Sequence, residues 1–144
     1  ADVLADILAR KPKILAISVY IWNVKMVYAL AEQVKAQLPQ TKIVLGGPEV
    51  GYNPKEVLEQ SPSVDFVISG EGEQPFLALC EHLLLDKSLL SVGISYRAES
   101  KNHIAEPYVG TGTPKSRVGK LHPQLVIKHE YPLRSVTSSC VLEF

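Results

Sequence analysis

The sequence predicts an α/β fold, a flavodoxin-like or Rossmann-like three-layer arrangement around a parallel sheet. Three observations carry this. Near-continuous apolar runs recur at residues 14–20, 42–45 and 64–68, the pattern of strands buried on both faces. The segments between them return apolar residues at helical spacing. The connections are only a few residues long, which implies parallel strands joined by crossovers.

The elements follow in order. Val3, Leu4, Ile7 and Leu8 share a helical face over residues 2–10, with Asp2 and Asp6 near the end where the helix dipole favours acids. Lys11-Pro12 closes this helix, because a residue before proline is pushed out of the α region. Ile14 to Tyr20 is the first strand. Val24, Val27, Tyr28, Ala31, Val34 and Leu38 mark a helix over 24–38 that Pro39 stops. Lys42-Ile43-Val44-Leu45 is the second strand and runs into Gly46-Gly47-Pro48-Glu49. Asn53, Pro54 and Glu56 read as N-cap, first helical position and capping-box partner of a helix ending near Ser61-Pro62. Val64 to Ile68 is the third strand and leads into Ser69-Gly70-Glu71-Gly72-Glu73. A helix from about Pro75 carries Phe76, Leu79, Cys80 and Leu83. After Leu90, Val92, Ile94 and Tyr96 alternate with Gly93, Ser95 and Arg97. A polar turn then leads to His103-Ile104-Ala105, so the sheet gains a C-terminal antiparallel hairpin at its edge.

Composition bounds the function. A chain of 144 residues corresponds to one domain with a real core. Fifteen basic and fifteen acidic residues cancel, so whole-chain attraction to nucleic acid or an anionic membrane is not expected. No apolar run reaches the roughly 18 residues of a membrane helix, and the charged opening segment is no secretory signal. Two cysteines, Cys80 and Cys140, make neither a disulfide framework nor a four-thiolate metal site. A reducing, cytoplasmic setting is expected. The balance shifts along the chain. Residues 1–106 carry ten basic and thirteen acidic side chains, and residues 107–144 carry five and two, with four prolines. This divides a compact 1–106 unit from a 107–144 tail, irregular apart from a short strand at Leu125-Val126-Ile127.

Ligands of an open parallel sheet bind beyond the carboxyl ends of its strands. Three such ends are legible here: Ser18-Val19-Tyr20, Gly46-Gly47-Pro48-Glu49 and Gly70-Glu71-Gly72-Glu73. Glycine lets a ligand approach the backbone closely, although it also serves plain turns. Neither glycine turn has dinucleotide or P-loop spacing.

The order Ile-Ser-Val-Tyr-Ile-Trp-Asn (17–23), Leu-Gly-Gly-Pro-Glu-Val (45–50) and Val-Asp-Phe-Val-Ile-Ser-Gly-Glu-Gly-Glu (64–73) resembles the N-terminal cobalamin-binding domain of cobalamin-dependent radical S-adenosylmethionine enzymes. Methyltransferases and the anaerobic magnesium-protoporphyrin ester cyclase belong to that branch. The resemblance covers about residues 2–106. It implies a module that binds and orients the corrinoid, with Ser18 and Gly46-Gly47 lining the groove for the nucleotide tail. Gly70, Glu71, Gly72 and Glu73 would flank that groove beside Pro48 and Glu49. Tyr20, Trp22 and Asn23 would form its rim, where corrin and partner domain meet; Trp22 reads equally as an aromatic closing the sheet end.

The chain departs from that pattern at both ends. The usual first strand, the loop that can supply a histidine to cobalt, a helix and a second strand are absent ahead of residue 2. No axial ligand is therefore assigned among His82, His103, His122 and His129, and His82 reads as a solvated helix residue. A bare apolar edge on the neighbouring strand would favour self-association. The three-cysteine motif of the radical domain is absent as well. By resemblance, S-adenosylmethionine and a [4Fe–4S] cluster belong only to the full-length enzyme, whose radical domain is the partner of this unit on the same polypeptide. No catalytic or metal-ligating residue is expected in the chain itself. Two other readings stand beside this one: a docking domain that keeps the sheet without the cofactor, and a phosphoryl-transfer enzyme holding Mg²⁺ through Glu49, Glu71 and Glu73.

Overall fold

The computed structural model describes residues 2–89, 92–98, 102–109 and 140–143. The helices are α1 (Val3–Arg10), α2 (Val24–Gln37), α3 (Pro48–Gly51), α4 (Pro54–Gln60) and α5 (Glu73–Leu85). The strands are β1 (Ile14–Ser18), β2 (Lys42–Gly46), β3 (Phe66–Ile68), β4 (Ile94–Arg97), β5 (Asn102–His103) and β6 (Cys140–Glu143). They form one sheet in the order β5-β4-β3-β2-β1-β6.

The alternation of side chains along β1 builds the three layers. Leu15, Ile17 and Val19 point to one face, where they meet Ile7 of α1, Val27, Ala31 and Val34 of α2, and Val57 and Leu58 of α4. Ile14 and Ala16 point to the other and meet Leu79 and Cys80 of α5. Both faces are covered, which is why the strand reads as a continuous apolar run instead of an alternating one. β1 pairs with β2 in parallel from Ile14 opposite Lys42 to Ser18 opposite Gly46, and β2 pairs with β3 in parallel. β4 and β5 then run antiparallel, Ile68 opposite Ile94 and Tyr96 opposite His103, as the expected hairpin.

Several local expectations are corrected. β3 begins at Phe66; at Asp65 the backbone N–H still donates to the Ile43 carbonyl at 2.9 Å, while the Ile43 N–H is taken by the Asp65 carboxylate at 2.7 Å. Asn53 makes no side-chain cap on α4; its carboxamide donates to Glu56 instead, so the predicted box closes side chain to side chain. Pro48–Gly51 forms the separate short helix α3 within the expected turn. His82 is half-buried, with Nδ1 2.7 Å from the Lys87 carbonyl oxygen, and so closes the end of α5 instead of standing in solvent.

The largest correction is β6. Leu125-Val126-Ile127 lies outside the described residues, whereas Cys140–Glu143 runs parallel along β1 from Ile14 opposite Cys140 to Ile17 opposite Glu143. The second edge of β1 is thus covered. A strand apolar on both faces needs a neighbour on each side, because a bare edge leaves a row of backbone groups unpaired. Four residues after a Thr-Ser-Ser run were too short a signal to read.

Candidate functional site

The site is assembled at the carboxyl ends of β1, β2 and β3. Ser18 and Gly46 are register partners, and the Val19 N–H donates to the Gly46 carbonyl at 2.7 Å, continuing the ladder one step. The two glycines of this corner then differ. Gly47 sits at φ +99°, and a Cβ there would fall 2.6 Å from the Val19 carbonyl oxygen and 2.8 Å from its nitrogen. Its lack of a side chain is used by the protein's own backbone. A Cβ on Gly46 would meet only Ile68, at 3.8 Å or more. A small side chain at Gly46 would thus make only ordinary contacts, and the half-buried Ser18 stands next to it.

The end of β3 is held differently. Tyr108 donates its N–H to the Ser69 carbonyl and accepts from the Glu71 N–H, both at 2.9 Å, so residues around Tyr108 strap across Gly70. Gly70 has φ +83°, and a Cβ there would lie 2.0 Å from the Tyr108 carbonyl oxygen. Gly93, at φ +82°, accepts from the Ser69 N–H on the other side. The Ser69 hydroxyl, fully buried between them, has no hydrogen-bond partner among the described residues. Gly93 and Tyr108 were not singled out as site residues in the sequence, since a strap in extended backbone leaves no periodic signal. Gly70, Glu71 and Glu73 are exposed at this corner, while Gly72 is half-buried as the N-cap of α5.

The rim is aromatic. Tyr20 and Trp22 stack face to face, ring centroids 4.6 Å apart and planes 3° from parallel. Trp22 is 77% exposed and Ile21 73%, so this is an open platform and not a residue closing the sheet end. Asn23 stands at the start of α2 without capping it. Its Oδ1 accepts from the Tyr20 N–H at 2.8 Å and its Nδ2 donates to the Ser18 carbonyl at 3.1 Å. Pro48 is exposed and Glu49 half-buried at the start of α3. Among the described residues no three His, Cys, Asp or Glu side chains converge to hold a metal ion, so the trio of Glu49, Glu71 and Glu73 forms no Mg²⁺ cage. No described helix is long and apolar enough to cross a membrane.

A family model described as B12 binding domain matches residues 1–80. The chain belongs to the B12 binding domain family. Cobalamin is thereby its cofactor, and binding it is the role of this module. Curated relatives agree: the chain is 38% identical over 76 residues to the cobalamin-dependent radical SAM methyltransferase TokK of Streptomyces tokunonensis, spanning 53% of this chain and 11% of that protein. It is 37% identical over 75 residues to a 2-(S-pantetheinyl)-carbapenam-3-carboxylate methyltransferase of Streptantibioticus cattleyicolor, again 11% of the relative. Among solved structures, the radical enzyme OxsB with aqua-cobalamin and S-adenosylmethionine bound superposes with TM-score 0.64 at 21% identity, over 75% of this chain and 16% of that one. The methyltransferase TsrM of Kitasatospora setae, with cobalamin and a [4Fe–4S] cluster bound, superposes with TM-score 0.60 at 17% identity, over 77% and 21%. This chain thus spans only a small part of each relative's length.

The residues present fit a corrinoid. Ser18 supplies a hydroxyl and Gly46 a position without a side chain on adjacent strand ends, where a corrinoid's nucleotide tail would need a polar contact and room.

Proposed function

We propose that the chain is the cofactor-holding unit of a radical S-adenosylmethionine methyltransferase or cyclase, and that its corrinoid lies over the corner formed by Ser18, Gly46 and Gly47. The observation that carries this is the pairing of Ser18 with Gly46 at adjacent strand ends, where a side chain would meet no more than ordinary contacts, inside the segment matched by the B12 binding domain. Ser18 donates to the cofactor's nucleotide tail, and Gly46 admits it. Gly70, Glu71, Gly72 and Glu73, with Pro48 and Glu49, flank the tail from the neighbouring strand ends. Tyr20 and Trp22 present apolar surface at the rim, which excludes water from one side of the corrin. Asn23 belongs to the same rim.

When bound, cobalamin supplies the capacity to carry a methyl group or to assist a radical step. The chain's residues bind and orient it and carry no catalytic step themselves. S-adenosylmethionine and a [4Fe–4S] cluster belong to the radical domain, the proposed partner on the full-length polypeptide, which the segment after residue 106 would lead into. A cytoplasmic setting suits that chemistry. Among the described residues, His82 and His103 lie on α5 and β5, away from the corner, so neither is assigned to cobalt.

The test is corrinoid retention. The chain is incubated with hydroxocobalamin, desalted, and read by visible absorbance, alongside Gly46→Val. Retention in the parent and its loss in a folded Gly46→Val support the assignment; equal retention in both overturns it.

A further inference from the structure

We infer that Asn23 is a positioning residue, which finishes the sheet edge at Ser18 and thereby holds the Tyr20–Trp22 platform, and that it does not itself bind the cofactor. Peptide groups along a strand face its two edges in alternation. The Val19 N–H and carbonyl both face β2 and α3, donating to Gly46 and accepting from Glu49. The Ser18 carbonyl and the Tyr20 N–H therefore face the opposite edge, the one β6 covers. But the β6 pairing stops at Ile17. Beyond it, one acceptor and one donor of the backbone face that edge, and no strand among the described residues meets them.

Asn23 meets both. Its carboxamide offers the same pair of groups as a peptide unit, and the Tyr20 N–H, which can only donate, fixes which end is oxygen. With Oδ1 on Tyr20 and Nδ2 on Ser18, the side chain closes the loop from residue 18 to residue 23 as a surrogate strand. An N-cap residue ordinarily turns its side chain onto its own helix. Asn23 instead turns away from α2, and Val24 and Asn23 donate their N–H groups to the Tyr20 carbonyl at 3.1 Å. Tyr20 is thus gripped at its N–H and its carbonyl, and its ring supports the indole of Trp22 two residues on. The platform is exposed, so little else fixes its geometry.

This deepens the corrinoid reading and rests on it only in the last arm of the test. Trp22 is the chain's one tryptophan, so its fluorescence reports the platform alone. In the full chain, Asn23→Ala should raise the unstacked fraction of Trp22 roughly five-fold for each hydrogen bond lost, seen as a longer-lived, more acrylamide-accessible emission, with far-UV circular dichroism unchanged. Tyr20→Ala should give the same signature, and the double variant no more than either. Asn23→Asp keeps the acceptor for Tyr20 but turns an oxygen onto the Ser18 carbonyl; it should fall between parent and Asn23→Ala. Unchanged Trp22 emission in a folded Asn23→Ala overturns the inference, and so does unfolding of both Asn23 variants, which would make the residue part of the general fold. The last arm reads hydroxocobalamin retention in Asn23→Ala: weakened retention together with loosened Trp22 supports the positioning role. Failure of the parent chain to retain cobalamin counts against the corrinoid reading while leaving the fluorescence result to decide the role of Asn23.

Discussion

The carboxylate of Asp65 lies 2.7 Å from the ammonium of Lys35 and at the same distance from the Ile43 N–H, so one side chain ties α2 to β2 at the foot of the sheet, opposite the Ser18–Gly46 corner. The Lys35 ammonium also donates to the Thr41 carbonyl at 2.8 Å. Both charged groups are about four-fifths shielded, which makes this pair worth more than a surface ion pair. Removing it with Asp65→Ala should destabilise the chain by about 2 kcal/mol, the loss expected for hydrogen bonds to a charged group. Asp65→Asn, which can keep the Ile43 bond, should cost less. Urea unfolding at constant m-value measures both, and corrinoid retention under native conditions should not change.

The two glycines of the Gly46-Gly47 corner should separate cleanly. Gly47→Ala forces a side chain into a positive φ against the Val19 backbone and should cost about 1–3 kcal/mol of stability. Gly46→Ala makes ordinary contacts with Ile68 and should leave the melting temperature near that of the parent, yet lower corrinoid retention. Thermal melts and absorbance after desalting, run on the same samples, give the answer.

Deleting residues 140–143 should uncover β1. The Ile14 and Ala16 amides, on the β6 side by the alternation that Val19 establishes, should lose hydrogen-exchange protection, while those of Leu15 and Ile17 keep theirs through β2. The bare apolar strand should then pair with other copies, so sedimentation of the shortened chain should show larger species than the parent at equal concentration.

Alkaline pH should weaken the fold through Tyr28. Burial is the main cause that raises its pKa above the ordinary value near 10, and Glu56 and Tyr52 add to it. The unfolded chain loses this proton first. The contribution of Tyr28 is therefore fully present below pH about 10 and is lost as pH rises from there through the folded-state value. Melting temperatures from pH 8 to 11 should fall more steeply in the parent than in Tyr28→Phe.

Much of this was legible in the residues, and the exceptions share a cause. The strands β1 and β2 and the helices α2 and α5 announce themselves because burial on one stripe or two faces leaves a periodic apolar record. The strand ends were legible through Gly46-Gly47 and Gly70 to Glu73. The uses of those glycines were not, because nothing in the sequence says that Gly47 yields to Val19 and Gly70 to Tyr108. Asn23 could be placed at the rim, but its bonds to Ser18 and Tyr20 depend on a turn geometry that propensity does not encode. Asn53 and Asp65 tell the same story: short polar side chains choose between backbone partners by tertiary context.

The pairing of β6 with β1 also sets an order of events. Neighbours in β1-β2-β3-β4-β5 are neighbours in sequence, so each contact closes a loop of modest length. The rung between Ile14 and Cys140 closes one of more than a hundred residues and carries the largest entropic cost of any in the sheet. During synthesis, the strand that ends in Ser18 waits longest for its second neighbour. The folding rate should follow that late docking, with refolding accelerated when β6 is fused ahead of α1 in a circularly permuted chain.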